Sequence, residues 1–162
     1  MTEQEILSEK ISFTYQDQVD FSNNYRNTLY DCEAFLFDGD SLVLLTKDWL
    51  NYHTALYKIS VLPGHHIIKK FDEFNSDGLI TGADYDLQRK SLILCGYNDY
   101  IPFVIQIDSF QSDGIQKLSS KRYDLHDDFG LQLEGIAFFN DQIFLTSENA
   151  ITVQAFYRLT TH

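Results

Sequence analysis

Apolar and polar residues alternate along most of this chain with a period of two, the mark of half-buried strands rather than helices. The first such run is Ile11–Tyr15. Residues 16–30 are polar and rich in turn formers, which predicts a loop. Strands are then expected at 33–37 and 41–46 across the turn Asp38-Gly39-Asp40, at 54–61 before Pro63-Gly64, and at 67–71. After Asn75-Ser76-Asp77-Gly78 the same order returns, with strands at 80–85, 91–96, 102–108 and 117–125. It returns again at 133–139 and 142–146, joined through Asn140-Asp141, and at 153–160.

The recurrence has a fixed period. Glu33, Gly82 and Glu134 lie 49 and 52 residues apart, Leu42, Leu92 and Ile143 lie 50 and 51 apart, and Leu56, Val104 and Phe156 lie 48 and 52 apart. Four short antiparallel strands in about 50 residues is the make-up of a β-propeller blade. A helical solenoid is excluded by the period of two, and a plain sandwich has no reason to repeat its sequence. The expected fold is therefore all-β, with about three blade repeats at 31–74, 79–125 and 131–160. These and the strand at 11–15 form a single domain over 11–162, after a polar lead-in at 1–10. Propellers close with about four to eight blades, so this is a half or partial propeller. Either it is the later part of a longer chain, or a homodimer completes a six-bladed ring. The strand at 11–15 is also a candidate for the outer strand that the third repeat lacks.

The stretches ISFTYQDQ (11–18), DCEAFLF (31–37), LYKISVLPG (56–64), GLITGADYD (78–86), LEGIAF (133–138) and TSEN (146–149) resemble a family of uncharacterised bacterial β-propeller proteins, mostly secreted or surface-attached. The matches keep their order over nearly the whole chain. Gln16 departs from the proline usual in that family, and the family's upstream blades and export signal have no counterpart here. The resemblance implies a fragment or shortened relative and export of the intact form, and it supplies no activity. More distantly, the acidic-Gly-Ile opening of an inner strand resembles phytase-like and esterase-like propellers, which hold calcium near the central channel.

Composition narrows the partners. A net charge of −12 repels phosphate backbones, so nucleic-acid binding through a basic face is not expected. No apolar run approaches the ~20 residues of a membrane helix, so no membrane insertion is expected. The start MTEQEILSEK lacks a basic segment followed by an apolar one, which places the chain as written in the cytoplasm. Cys32 and Cys95 form no CxxC and sit in apolar strand contexts, so both are read as buried free thiols.

In a blade, the start of the first strand and the end of the second share one face of the disc. Asp31, Glu33, Asp84 and Glu134 should therefore cluster with Lys47, Asp48 and Trp49, with Tyr97, Asn98 and Asp99, and with Ser147, Glu148 and Asn149. One reading is a ring of Glu33, Asp84 and Glu134 around a hard cation such as Ca²⁺, which takes about six to eight oxygen ligands. The other is that each carboxylate caps backbone N–H groups or pairs with a neighbouring Lys or Arg. Trp49 and Tyr52 suit stacking on a sugar ring, anchoring a protein partner, or covering the blade edge. Ser147 has no GxSxG elbow, and His65-His66, expected in a turn, lack ligand spacing. The leading functional expectation is a non-enzymatic binding module with a structural cation and a protein or carbohydrate ligand. The alternatives are a Ca²⁺-dependent hydrolase of phytase-like or esterase-like type, and a fragment without independent function.

Overall fold

The computed structural model describes residues 7–22, 25–111, 114–115, 118–140, 142–149 and 154–160. The chain is all-β, with thirteen strands and one 3₁₀ turn (His126–Asp128) among the described residues. Three antiparallel sheets follow one another in sequence. Sheet 1 consists of β2 (Asp31–Phe37), β3 (Ser41–Lys47), β4 (His53–Ser60) and β6 (Lys70–Asn75), in that spatial order. Sheet 2 runs β7 (Leu79–Asp86), β8 (Ser91–Asn98), β9 (Ile101–Ile107) and β10 (Ser120–Asp124), and sheet 3 runs β11 (Leu131–Phe139), β12 (Gln142–Asn149) and β13 (Ala155–Leu159). The described residues form no closed barrel or ring. Among them no helix is long and apolar enough to cross a membrane.

Two expectations about the chain path are corrected. The strand expected at 67–71 is divided between β5 (Gly64–Ile68) and β6, and only β6 joins sheet 1. β1 (Ile11–Tyr15) is not the outer strand of the third sheet; it pairs in parallel with β5, from Ile11 against Gly64 to Tyr15 against Ile68. His65 and His66 accordingly lie in a strand, not a turn. Residues 1–6 of the lead-in, and Asp141 in the last turn, lie outside the described residues.

Stacking order explains the burial pattern of each strand. β8 is buried at Leu92, Ile93, Leu94 and Cys95 in succession, because sheet 2 has a neighbour on each face. A strand covered on both sides reads as a continuous apolar run, whereas one covered on one side alternates. On one face, Leu92, Leu94, Phe103 and Ile105 pack against Ala34, Val43, Leu45 and Leu56 of sheet 1. On the other, Ile93, Cys95 and Val104 pack against Leu133, Ile136 and Leu145 of sheet 3. Phe110 and Ile115, from the connection after β9, fill the space between sheets 1 and 2. The far face of sheet 1 carries Leu44, Tyr57 and Ile59, over which Tyr15 and Ile68 of β1 and β5 are laid.

The first strand of each of the three antiparallel sheets is bulged at the same point. The register slips at Glu33 between Cys32 and Ala34, at Thr81 between Ile80 and Gly82, and at Glu134 between Leu133 and Gly135. A bulge sets two residues against one, adding local twist and re-aiming the extra side chain. The extra residue is thus Glu33, Thr81 or Glu134, which moves the second member of the expected column Glu33, Gly82, Glu134 by one position. Glycine follows the bulge where sheets 2 and 3 approach closely. A Cβ on Gly82 would stand 2.9 Å from Cys95 Sγ and 3.1 Å from the Glu134 carbonyl, and one on Gly135 would stand 2.6 Å from Thr146 Oγ1.

Candidate functional site

First-strand starts and second-strand ends do share one end of the sheets. Asp31 pairs with Lys47, Leu79 with Tyr97, and Leu131 with Asn149. At this end the side chain of Lys47 is only 7% exposed, and its Nζ lies 3.8 Å from Glu33 Oε1. The same ammonium stands 4.8 Å from the centre of the Trp49 ring and 5.2 Å from that of Tyr97. A cation held at such distances over aromatic faces is attracted by the ring quadrupole, more strongly when water is excluded.

Carboxylates from two sheets surround this lysine. Burial raises the Glu134 carboxyl above the usual carboxylate range, Lys47 works against that rise, and the charges of Glu33 and Glu148 add to it. Glu33 is raised in the same way, first by burial and then by Asp31 and Glu148, again with Lys47 opposing. Burial also raises the Tyr97 hydroxyl, with Lys47 opposing. Lys47 is the common neighbour, so the centre expected for a metal is occupied by the chain's own ammonium.

Asp84 does not join Glu33 and Glu134. Its Oδ2 accepts the backbone N–H of Phe138 at 2.7 Å, and its Oδ1 accepts that of Tyr85 at 2.8 Å. It fastens sheet 2 to sheet 3, which corrects its placement in the ring. Among the described residues no group of three or more His, Cys, Asp or Glu side chains is placed to hold a metal ion.

The other expected residues divide by role. Asp31 accepts the Trp49 indole N–H at 2.9 Å and fixes that ring. Asp48 is consumed by its own turn, where Oδ1 accepts the N–H groups of Leu50 and Asn51 at 2.8 and 2.9 Å. Asn98 donates to the Asp77 carbonyl at 2.9 Å, and Ser147 Oγ accepts the Ala155 N–H at 3.2 Å, so both serve the scaffold. Glu148 is exposed beside the cluster. The side chain of Asn149 lies outside the described residues. Cys95 is a buried free thiol as expected, but Cys32 is exposed and free, and the two are not bridged.

Beside Lys47 opens a cleft of about 150 Å³, lined by Arg26, Trp49, Tyr52, Leu79, Tyr97, Asp99, Tyr100 and Gln132. The Arg26 guanidinium lies 5.2 Å from the Trp49 ring centre and 5.0 Å from that of Tyr25. Periodicity gave no sign of Arg26, which sits in the polar loop at φ 55°. Nor did it single out Gln132 and Tyr100, whose place in the cleft depends on how sheets 2 and 3 stack. Four aromatic rings, one cation, one carboxylate and one amide can hold a small ring-shaped group by its faces and its polar edge. The sequence matches no protein-family model and no curated protein.

Proposed function

We propose that the chain is a non-enzymatic binding module built from β-propeller-type blades, with the cleft beside Trp49 as its ligand site. The scaffold reading is supported by three meanders laid in sequence order. Their first strands stand side by side, β2 beside β7 and β7 beside β11, and each carries its bulge at the same point.

The observation that carries the binding reading is the cleft itself. Its volume of about 150 Å³ falls well below the ~300 Å³ at which drug-sized pockets begin. It admits one sugar ring, or one side chain of a larger partner. A carbohydrate fits the lining best, since Arg26, Asp99 and Gln132 offer donors and acceptors to hydroxyls while the aromatic rings cover apolar C–H faces. Against catalysis, the Lys47 ammonium lies beside Glu33 and opposes the rise of Glu134, and Ser147 is committed to the β13 backbone.

Trp49 is the single tryptophan of the chain, so its fluorescence reports on the cleft alone. Titration with glucose, galactose, N-acetylglucosamine and their β-linked disaccharides should give a saturable change with at least one sugar. Tyr100→Ala, which leaves the fluorophore in place, should weaken that response about tenfold, the scale of one good aromatic contact. A flat response across all of these sugars would overturn the carbohydrate assignment.

A further inference from the structure

The outer face of sheet 3 repeats, position for position, faces that sheets 1 and 2 bury. Counting from each bulge, Val43, Ile93 and Phe144 are equivalent, as are Leu45, Cys95 and Thr146, and Leu56, Val104 and Phe156. In sheet 1 the three members are 0% exposed, and in sheet 2 they are 0, 0 and 1% exposed, each set covered by the following sheet. In sheet 3, Phe156 is 68% exposed and Thr146 is also exposed. Phe139, 63% exposed, continues the patch, with ring centres 6.4 Å apart from Phe139 to Phe144 and 5.6 Å apart from Phe144 to Phe156.

The opposite end of the stack carries the complementary surface. Phe35 is equivalent to Ala83 and Ile136, and Phe37 to Tyr85 and Phe138, which pack against the sheet before them. In sheet 1 these positions are 62 and 48% exposed, because β1 and β5 cover only the strands farther out. Among the described residues, β13 and β1 each also keep one edge without a partner strand.

We propose that the outer face of sheet 3 docks on the Phe35–Phe37 face of sheet 1 in a second copy of this chain. The occupant is set by continuity with the existing stack. The same register positions that join sheet 1 to sheet 2, and sheet 2 to sheet 3, would join sheet 3 to the next sheet 1. Such a contact is heterologous, and two copies close on each other when both use it. It does not depend on the cleft binding anything.

Light scattering on the purified full chain tests this, with Phe156→Asp and Phe35→Asp as variants whose exposure lets them fold, as circular dichroism would verify. The wild type should have twice the 18.8 kDa chain mass, and each variant should be a monomer. An equimolar mixture of the two variants should associate more than either alone, because one intact sheet-3 face still meets one intact sheet-1 face while the second contact of the closed pair is lost. A monomeric wild type would overturn the proposal and leave the faces to a different chain. A Phe35→Asp protein that stays dimeric while Phe156→Asp dissociates would overturn it in favour of sheet 3 pairing with itself.

Discussion

The ammonium of Lys47 stands 5.2 Å from the centre of the Tyr97 ring, so the end of β3 in one sheet is held against the end of β8 in the next. The same group lies 3.8 Å from Glu33 and opposes the rise of both Glu33 and Glu134. Replacing it with Met keeps most of the packing and strands the carboxylates. Breaking a buried pair by removing one partner is costly, and partial exposure of Glu33 discounts that cost, so Lys47→Met should lose about 1–3 kcal/mol at pH 7. The loss should fade as pH falls through the carboxylate range and the stranded groups take up protons. Urea titrations at pH 7 and pH 4 measure both, and equal losses at the two values would show that packing alone was removed.

Glu134→Gln has the opposite sign. A carboxyl raised in the folded state binds its proton more tightly there than in the unfolded chain. The wild type therefore loses stability as pH climbs from the ordinary carboxylate value through the raised one. The amide of the variant carries no such charge, so melting curves from pH 3 to pH 7 should coincide at the acid end. The variant should then pull ahead toward neutrality. A variant less stable than wild type at pH 7 would mean that attraction to Lys47 outweighs burial.

Asp84→Ala should destabilise by about 1 kcal/mol, the cost of leaving two partly buried N–H groups without an acceptor. Asp84→Asn, which keeps one oxygen, should fall between Ala and wild type. Because Asp84 reaches across to sheet 3, hydrogen exchange at the Phe138 amide should accelerate more than exchange in β3. Uniform acceleration across all three sheets would argue that the contact acts on global stability only.

The two thiols should separate cleanly. Burial pushes the Cys95 thiol up to about 12; it also raises that of Cys32, a residue that is nonetheless exposed to solvent where Cys95 is not. The thiolate is the reactive form, so Ellman's reagent at pH 8 should modify one thiol promptly in the native protein and two in urea. Cys32→Ser should abolish the prompt reaction, and prompt modification of both thiols would contradict the burial of Cys95.

Period-two alternation and turn residues placed most strands within a few residues, because burial on one or both faces of a sheet writes itself directly into the apolar pattern. The columns Leu42, Leu92, Ile143 and Leu56, Val104, Phe156 fall at equivalent register positions for the same reason. The bulge was not legible, since an extra residue has no signature of its own. Matching Gly82 to Glu33 and Glu134 therefore slips by one, and Asp84 lies three residues past Thr81, the position equivalent to those two glutamates. The run Ile67-Ile68-Lys69-Lys70-Phe71 concealed a change of partner, which hydrogen bonding decides and composition does not. Lys47 was placed at the right end of its sheet, but its role as the central cation depends on the way three sheets converge.

The pairing of β1 with β5 has a consequence for the order in which the molecule assembles. Apart from β4 with β6, which skips β5, each meander joins strands that are neighbours in sequence, so most of its ladders can zip as soon as a turn forms. Ile11, by contrast, waits for Gly64, 53 positions later. During synthesis at about 5–20 residues per second, β1 emerges before β5 and stays without this partner for several seconds. Leu44, Tyr57 and Ile59 stay uncovered for as long as β1 and β5 are apart. Among the described strands, β1 is thus made before β2, β3 and β4 yet pairs only after all three have appeared. During that interval the outer apolar face of sheet 1 is open to misassociation.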